Sequence, residues 1–207
     1  MIAWTTLLDL GGVTLTWPLA SAIGATLVAA GAVRPALWWG ALFGCSVALV
    51  GASKIMYLGW GYGMETICFK ALSGHATGAT ALYPMLGWVL LYRFGERARI
   101  AGLAGGLGIG AVVAMLLAST REHSISESAA GWLTGAIVSM VAIRKCGELP
   151  PLRPLAGVLS FVLVCALGAW LMQWAHLGYW MIKAARLLSG NERVYNLNFE
   201  YFLDKPL

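Results

Sequence analysis

The segment S-T-R-E-H-S-I-S-E-S-A-A-G, residues 119–131, sets His123 two positions after Arg121 and four before Glu127. Histidine exchanges protons near neutral pH, and a carboxylate beside it can fix which ring nitrogen carries the proton. Arginine adds a donor for an anion. A second histidine, His75, follows Ser73 and Gly74 ahead of an apolar block. Gly74 allows close backbone approach, and the N–H groups that open a helix there form a ready anion site. Lys54 and Lys70 add two further cations. Each of these residues also has a plainer reading. Ser124-x-x-Glu127 is a capping-box pattern, and Ser73 can simply cap its helix. His75 can be a helix-start residue at a membrane interface, Lys54 and Arg121 snorkelling cations, and Glu122 a solvated acid or a partner of Arg121.

The elements that must position these groups are apolar. The 207 residues are 59% hydrophobic and 11% charged, with a mean hydropathy of +0.76. Blocks of this kind cross a bilayer at about 20 residues per helix. We expect one all-α domain, residues 1–207, forming a polytopic membrane helical bundle. About six crossings are expected, near residues 13–33, 36–57, 76–92, 100–118, 128–143 and 155–180. The first 16 residues lack Lys and Arg, unlike a signal peptide, and predict a surface helix or a helix extension. Ten Trp and seven Tyr, many at block ends, suit interfacial belts.

Alternate loops hold Arg34, then Arg93, Arg97 and Arg99, then Arg144, Lys145 and Arg153, seven cations against three in the opposite set (Lys54, Lys70, Arg121). The positive-inside rule places the first set in the cytoplasm. Lys54, Lys70, His75, Arg121, Glu122, His123 and Glu127 then share the other face. The net charge of +5 reflects topology, since no basic stripe interleaved with aromatics points to nucleic acid. Cys45, Cys68, Cys146 and Cys165 are expected unpaired. No spacing suggests zinc or magnesium, and the glycine-rich run at residues 59–63 lacks the Lys-Ser/Thr of a nucleotide loop, so it is expected to be a turn lining a site. His176 is expected to be an interfacial or packing residue.

These blocks resemble the type-2 phosphatidic acid phosphatases, membrane lipid-phosphate phosphatases related to the vanadium haloperoxidases. That family carries a Lys, six residues, then Arg-Pro; a Pro-Ser-Gly-His; and a Ser-Arg, five residues, a His, three residues and an Asp. The matching residues are Lys54, then Ser73-Gly74-His75 after Leu72, then His123-x-x-x-Glu127 followed by Ala130-Gly131. The likeness covers about residues 54–135. Gly61 and Tyr62 stand at the Arg-Pro positions, Leu72 at the proline and Leu117 at the third-block arginine, with Arg121 displaced toward His123. The resemblance implies a metal-independent, cofactor-free phosphatase in which His123 attacks phosphorus, Glu127 orients it and His75 is the general acid and then base. It also implies phosphate binding by Lys54, Ser73, Gly74 and Arg121. The substrate would be a phosphomonoester or pyrophosphate on a lipid, and the location a bacterial inner membrane with the site on the periplasmic face. A lipid phosphotransferase of the same fold and a non-catalytic binding protein or carrier remain alternatives.

Overall fold

A computed structural model describes residues 7–150 and 154–197. Those residues form seven α-helices and no named strand: α1 (Val13–Ala29), α2 (Val33–Trp60), α3 (Gly74–Leu90), α4 (Glu96–Ser119), α5 (Ile125–Cys146), α6 (Pro154–Met172) and α7 (Leu177–Ser189). Short 3-10 turns lie at Asp9–Gly11, Glu65–Ile67 and Tyr92–Phe94. The protein is thus an all-α helical bundle. Among the described residues, α2, α4 and α5 are long and apolar enough to cross a membrane. α1 is apolar but has only 17 residues, and α3 also has 17.

The expected straight crossing at 155–180 is instead broken. α6 ends at Met172, α7 starts at Leu177, and the two helices bend by 57°. They make a fourth span only if the bent pair counts as one. His176 sits at the break with φ of +34°, and its Nδ1 lies 2.8 Å from the Trp174 carbonyl oxygen. The left-handed backbone of a non-glycine residue ends one helical direction and starts another. Residues 1–6, 151–153, with Arg153 among them, and 198–207 lie outside the described set, so the N-terminal segment is described only from Leu7 on, where a 3-10 turn leads into α1.

α3 is the central helix, packed against α1, α2, α4 and α5. Its neighbours approach closely because glycines face it. A Cβ on Gly102 would come 2.5 Å from the Gly87 carbonyl oxygen, while Gly106 backs onto Pro84 and Gly110 onto Thr80. On α5, a Cβ on Gly135 would lie 2.6 Å from the Thr77 carbonyl oxygen. Lipid tails are as apolar as Leu, so helices in a bilayer associate through such small-residue contacts rather than through a hydrophobic gradient. A second seam joins α1 to α2, where the buried Trp39 donates its Nε1–H to the Ala20 carbonyl at 2.8 Å.

α2 decides how far the first cation reaches. A hydrocarbon core about 30 Å thick takes about 20 residues at 1.5 Å each, and α2 has 28. The helix is therefore longer than one span requires, and Lys54 lies in its last two turns. The helix stops at Gly61, whose φ of +72° is the left-handed cap that glycine adopts without a Cβ penalty. The run at residues 59–63 is not an open turn, because the C-terminal segment packs onto it. Asn191 donates to the Gly59 carbonyl at 2.8 Å, the Tyr195 N–H donates to the Leu58 carbonyl at 2.9 Å, and the Tyr195 ring covers Gly61.

Candidate active site

The site grows from the start of α5. Ser124 caps the helix, its Oγ accepting the Glu127 N–H at 3.1 Å, and Glu127 reaches back to accept the Ser124 N–H at 3.2 Å. This reciprocal capping box is the local reason for the helix to begin here, a cap of this kind being worth about 1 kcal/mol. The same carboxylate oxygen, Oε2, lies 2.8 Å from His123 Nδ1. Capping and histidine orientation are thus one arrangement. If His123 holds its proton on Nδ1, its Nε2 keeps a lone pair.

The other carboxylate oxygen ties in a distant loop. Glu127 Oε1 accepts the Lys70 N–H at 2.8 Å and the Ala71 N–H at 3.4 Å, and only 4% of Glu127 is exposed. Four donors converging on a buried carboxylate make it a fixed acceptor rather than a mobile side chain. The Ser73 N–H then donates to the Glu127 carbonyl at 3.4 Å, which seats the start of α3 on the start of α5. Gly131 permits this approach, since a Cβ there would lie 2.8 Å from the Ser73 carbonyl oxygen.

Ser73 is fully buried and caps α3, its Oγ accepting the Ala76 N–H at 3.4 Å. Across from it, Lys54 Nζ lies 3.8 Å from the position that a Cβ would take on Gly74. The lysine head thus sits over a helix N-terminus that lacks a side chain at that position. His75 is half-buried beside them. Burial first, then the Lys54 ammonium and the charge of His123, hold its pKa below the usual histidine value, with Glu122 and Asp9 pulling weakly the other way. His75 at the start of α3 therefore stays neutral at pH 7.

Arg121 is exposed, has a φ of +61°, and donates its backbone N–H to the Ala118 carbonyl at 3.4 Å, while its side chain makes no hydrogen bond or ion pair among the described residues. Glu122 is likewise exposed and forms no ion pair with it. The structure thus gathers Lys54, Ser73, Gly74, His75, His123 and Glu127, and leaves Arg121 at the rim. Lys70 contributes through its backbone, while its Nζ turns to the Leu197 carbonyl at 3.4 Å.

Two contributors had no sequence signal that spacing could reveal. One is the pair of N–H groups at Lys70 and Ala71, 57 and 56 positions from the carboxylate that they meet. The other is the Asp9–Gly11 turn. Gly11 presses on His75, where a Cβ would come 2.6 Å from the His75 carbonyl oxygen, and the Tyr83 hydroxyl fastens the turn by donating to the Leu10 carbonyl at 2.8 Å.

Among the described residues no group of three or more His, Cys, Asp or Glu side chains could hold a metal ion, and all four cysteines are free thiols. Cys146 is buried, whereas Cys45 is exposed on α2. A cleft of about 390 Å³ lies at the opposite end of the bundle, between α3, α4 and α5. It takes no part in the histidine site.

The chain is similar to a Klebsiella pneumoniae protein described as an uncharacterized 22.5 kDa protein in cps region, with 34% identity over 134 residues. That match covers 64% of this chain and 64% of the relative's length. No protein-family model matches the chain. No solved structure matches it.

Proposed function

We propose that this protein is an integral membrane phosphatase that hydrolyses a phosphomonoester or pyrophosphate carried by a lipid, through a phosphohistidine. The observation that carries the reading is the 2.8 Å contact between His123 Nδ1 and a Glu127 carboxylate that is itself held by three backbone N–H groups. A histidine so held offers a neutral Nε2 in a fixed direction, as a nucleophile requires. Lys54, His75 and the N-terminus of α3 stand on the same face and supply charge, a proton carrier and backbone donors.

In the first step the Nε2 lone pair attacks phosphorus and the bond to the leaving oxygen breaks. His75 gives that oxygen a proton, and Glu127 stabilises the positive imidazole through Nδ1–H. In the second step His75 takes a proton from water, the water oxygen attacks phosphorus, and the P–N bond breaks to restore His123. His75 must be protonated for the first step, and a phosphate dianion next to it favours that form. The lipid tail would stay in the bilayer beside α2 and α4. The positive-inside pattern favours a bacterial inner membrane with this site on the periplasmic face.

Purified His123→Ala should keep its helical content and lose release of free phosphate from lipid phosphates. Wild-type turnover in that variant would refute the nucleophile assignment. The exposed, unpaired Arg121 favours a second reading, a protein that binds phosphate without cleaving it. Vanadate binding without any hydrolysis would support that reading. Phosphate appearing on a second lipid rather than in solution would mark a phosphotransferase.

A further inference from the structure

The cleft at the far end of the bundle has a composition that the histidine site does not explain. Its walls are Trp88 of α3, Ile100 and Leu103 of α4 and Ile143 of α5, and its mouth holds Glu96 and Arg99. From Glu96 to Leu103 the helix rises about 10 Å at 1.5 Å per residue, so the cleft runs from the helix start down into the apolar zone. Its polar end and its apolar end are stacked along the axis of α4.

Arg99 is the unusual member. Its guanidinium lies over the Tyr92 ring at 4.5 Å, and its Nε is buried without a hydrogen-bond partner. Glu96 stands one turn away on the same helix, yet no ion pair joins the two. The Tyr92 hydroxyl oxygen is occupied by the Leu149 N–H at 2.9 Å, so it does not serve the arginine. A buried N–H donor without an acceptor costs free energy, so this guanidinium is held against the Tyr92 ring at a cost while its terminal N–H groups remain for an anion. Arg93, Arg97, Arg144 and Lys145 stand at the same end, against Glu96 and Glu148. Phe94, Ile100 and Leu90 remain exposed around the mouth.

The geometry points to a binding site for one anionic glycerophospholipid, drawn from the leaflet at this arginine-rich end of the bundle. The phosphodiester oxygens would take the two terminal N–H groups of the Arg99 guanidinium side by side, a pairing that guanidinium provides and ammonium does not. One acyl chain would fill the cleft along Ile100, Leu103 and Ile143. Basic pockets between membrane helices recognise anionic headgroups in this way, and cytoplasmic leaflets are rich in them. The site is separate from the histidine cluster and does not depend on its function.

The test uses native mass spectrometry of the full-length protein in detergent. The probes are phosphatidylglycerol, phosphatidylcholine with the same acyl chains, and inorganic phosphate. Phosphatidylglycerol should bind one per chain, roughly tenfold more tightly than phosphatidylcholine, as expected for a charge-assisted pair. Inorganic phosphate should not displace it. Arg99→Gln and Leu103→Trp, which fills the cleft, should each remove the preference, whereas His123→Ala should keep it. Equal binding of the two lipids, or a preference that survives both cleft variants, would overturn the site. Displacement by inorganic phosphate would show a free-anion site and overturn the lipid assignment. If Arg99→Gln does not fold, a photoactivatable phosphatidylglycerol on the wild-type chain decides. Crosslinks within residues 88–103 support the proposal, and crosslinks confined elsewhere reject it.

Discussion

Glu127→Gln is the sharpest perturbation of the histidine site, because it keeps volume while changing one acceptor into a donor. The carboxylate uses both oxygens: Oε1 for the Lys70 and Ala71 N–H groups, Oε2 for Ser124 N–H and His123. An amide has one acceptor oxygen and one NH₂ group. With its oxygen toward His123, its NH₂ faces the Lys70 N–H across a 2.8 Å gap that was a hydrogen bond. Turned over, the NH₂ faces the Ser124 N–H and drives His123 to accept on Nδ1, which moves the ring proton to Nε2 and removes the attacking lone pair. Either orientation leaves a buried donor unpaired, at a cost of about 1–3 kcal/mol in stability. Loss of the charge-assisted bond alone slows the reaction by roughly 10–150-fold, and the wrong tautomer extends this to the order of 10⁴. The assay is phosphate release from a lipid phosphate by protein reconstituted in vesicles, with kcat and KM separated and thermal unfolding measured alongside. Most of the loss should fall on kcat. A Glu127→Gln enzyme that turns over at the wild-type rate while folded would refute the orienting role and leave Glu127 as a cap alone.

Further outcomes follow from the same geometry. Because His75 has a depressed pKa in the free protein, a bound vanadate anion should raise it, so binding takes up a proton and tightens as pH falls between the free and bound values. Calorimetry in buffers of different ionisation enthalpy reads that proton, and the uptake should vanish in His75→Gln. Lys54→Met should raise KM for lipid phosphate and, by removing the ammonium beside His75, move the His75 titration up toward its ordinary value, as followed by NMR. Gly131→Ala should destabilise by about 1–3 kcal/mol, since its methyl meets backbone and neighbouring side chains that cannot yield. Gly105→Ala, in open space on α4, should be neutral or slightly stabilising by thermal unfolding.

Much of this architecture was legible in the chain because it depends on local rules. Apolar blocks in a bilayer must close their own hydrogen bonds and so become helices, which is why α1 to α5 fall where hydropathy places them. The capping box at Ser124 and Glu127 and the cap at Ser73 are short-range patterns, and both appear as the spacing predicts. The carboxylate of a capping box necessarily lies near the residue before the cap, so the neighbourhood of His123 and Glu127 was also readable. The count of full crossings was not. Hydropathy alone runs straight through residues 173–176, where the backbone turns at His176 and directs α7 back against α2.

Tertiary structure decided the rest, through contacts between residues far apart in sequence. Alternating topology leads one to expect Lys54, Ser73 and His75 at one end of the bundle. Only the close approach of α3 to α5 across Gly131, and of α2 to Gly74, puts them in one site. The backbone donors at Lys70 and Ala71 are invisible to any motif, because every non-proline residue has the same N–H. The turn at Gly11 packs on His75 by shape, which sequence spacing does not encode. Arg121 shows the converse: proximity to His123 in the chain placed it among the candidates, yet the left-handed backbone at that position leaves its side chain exposed at the rim.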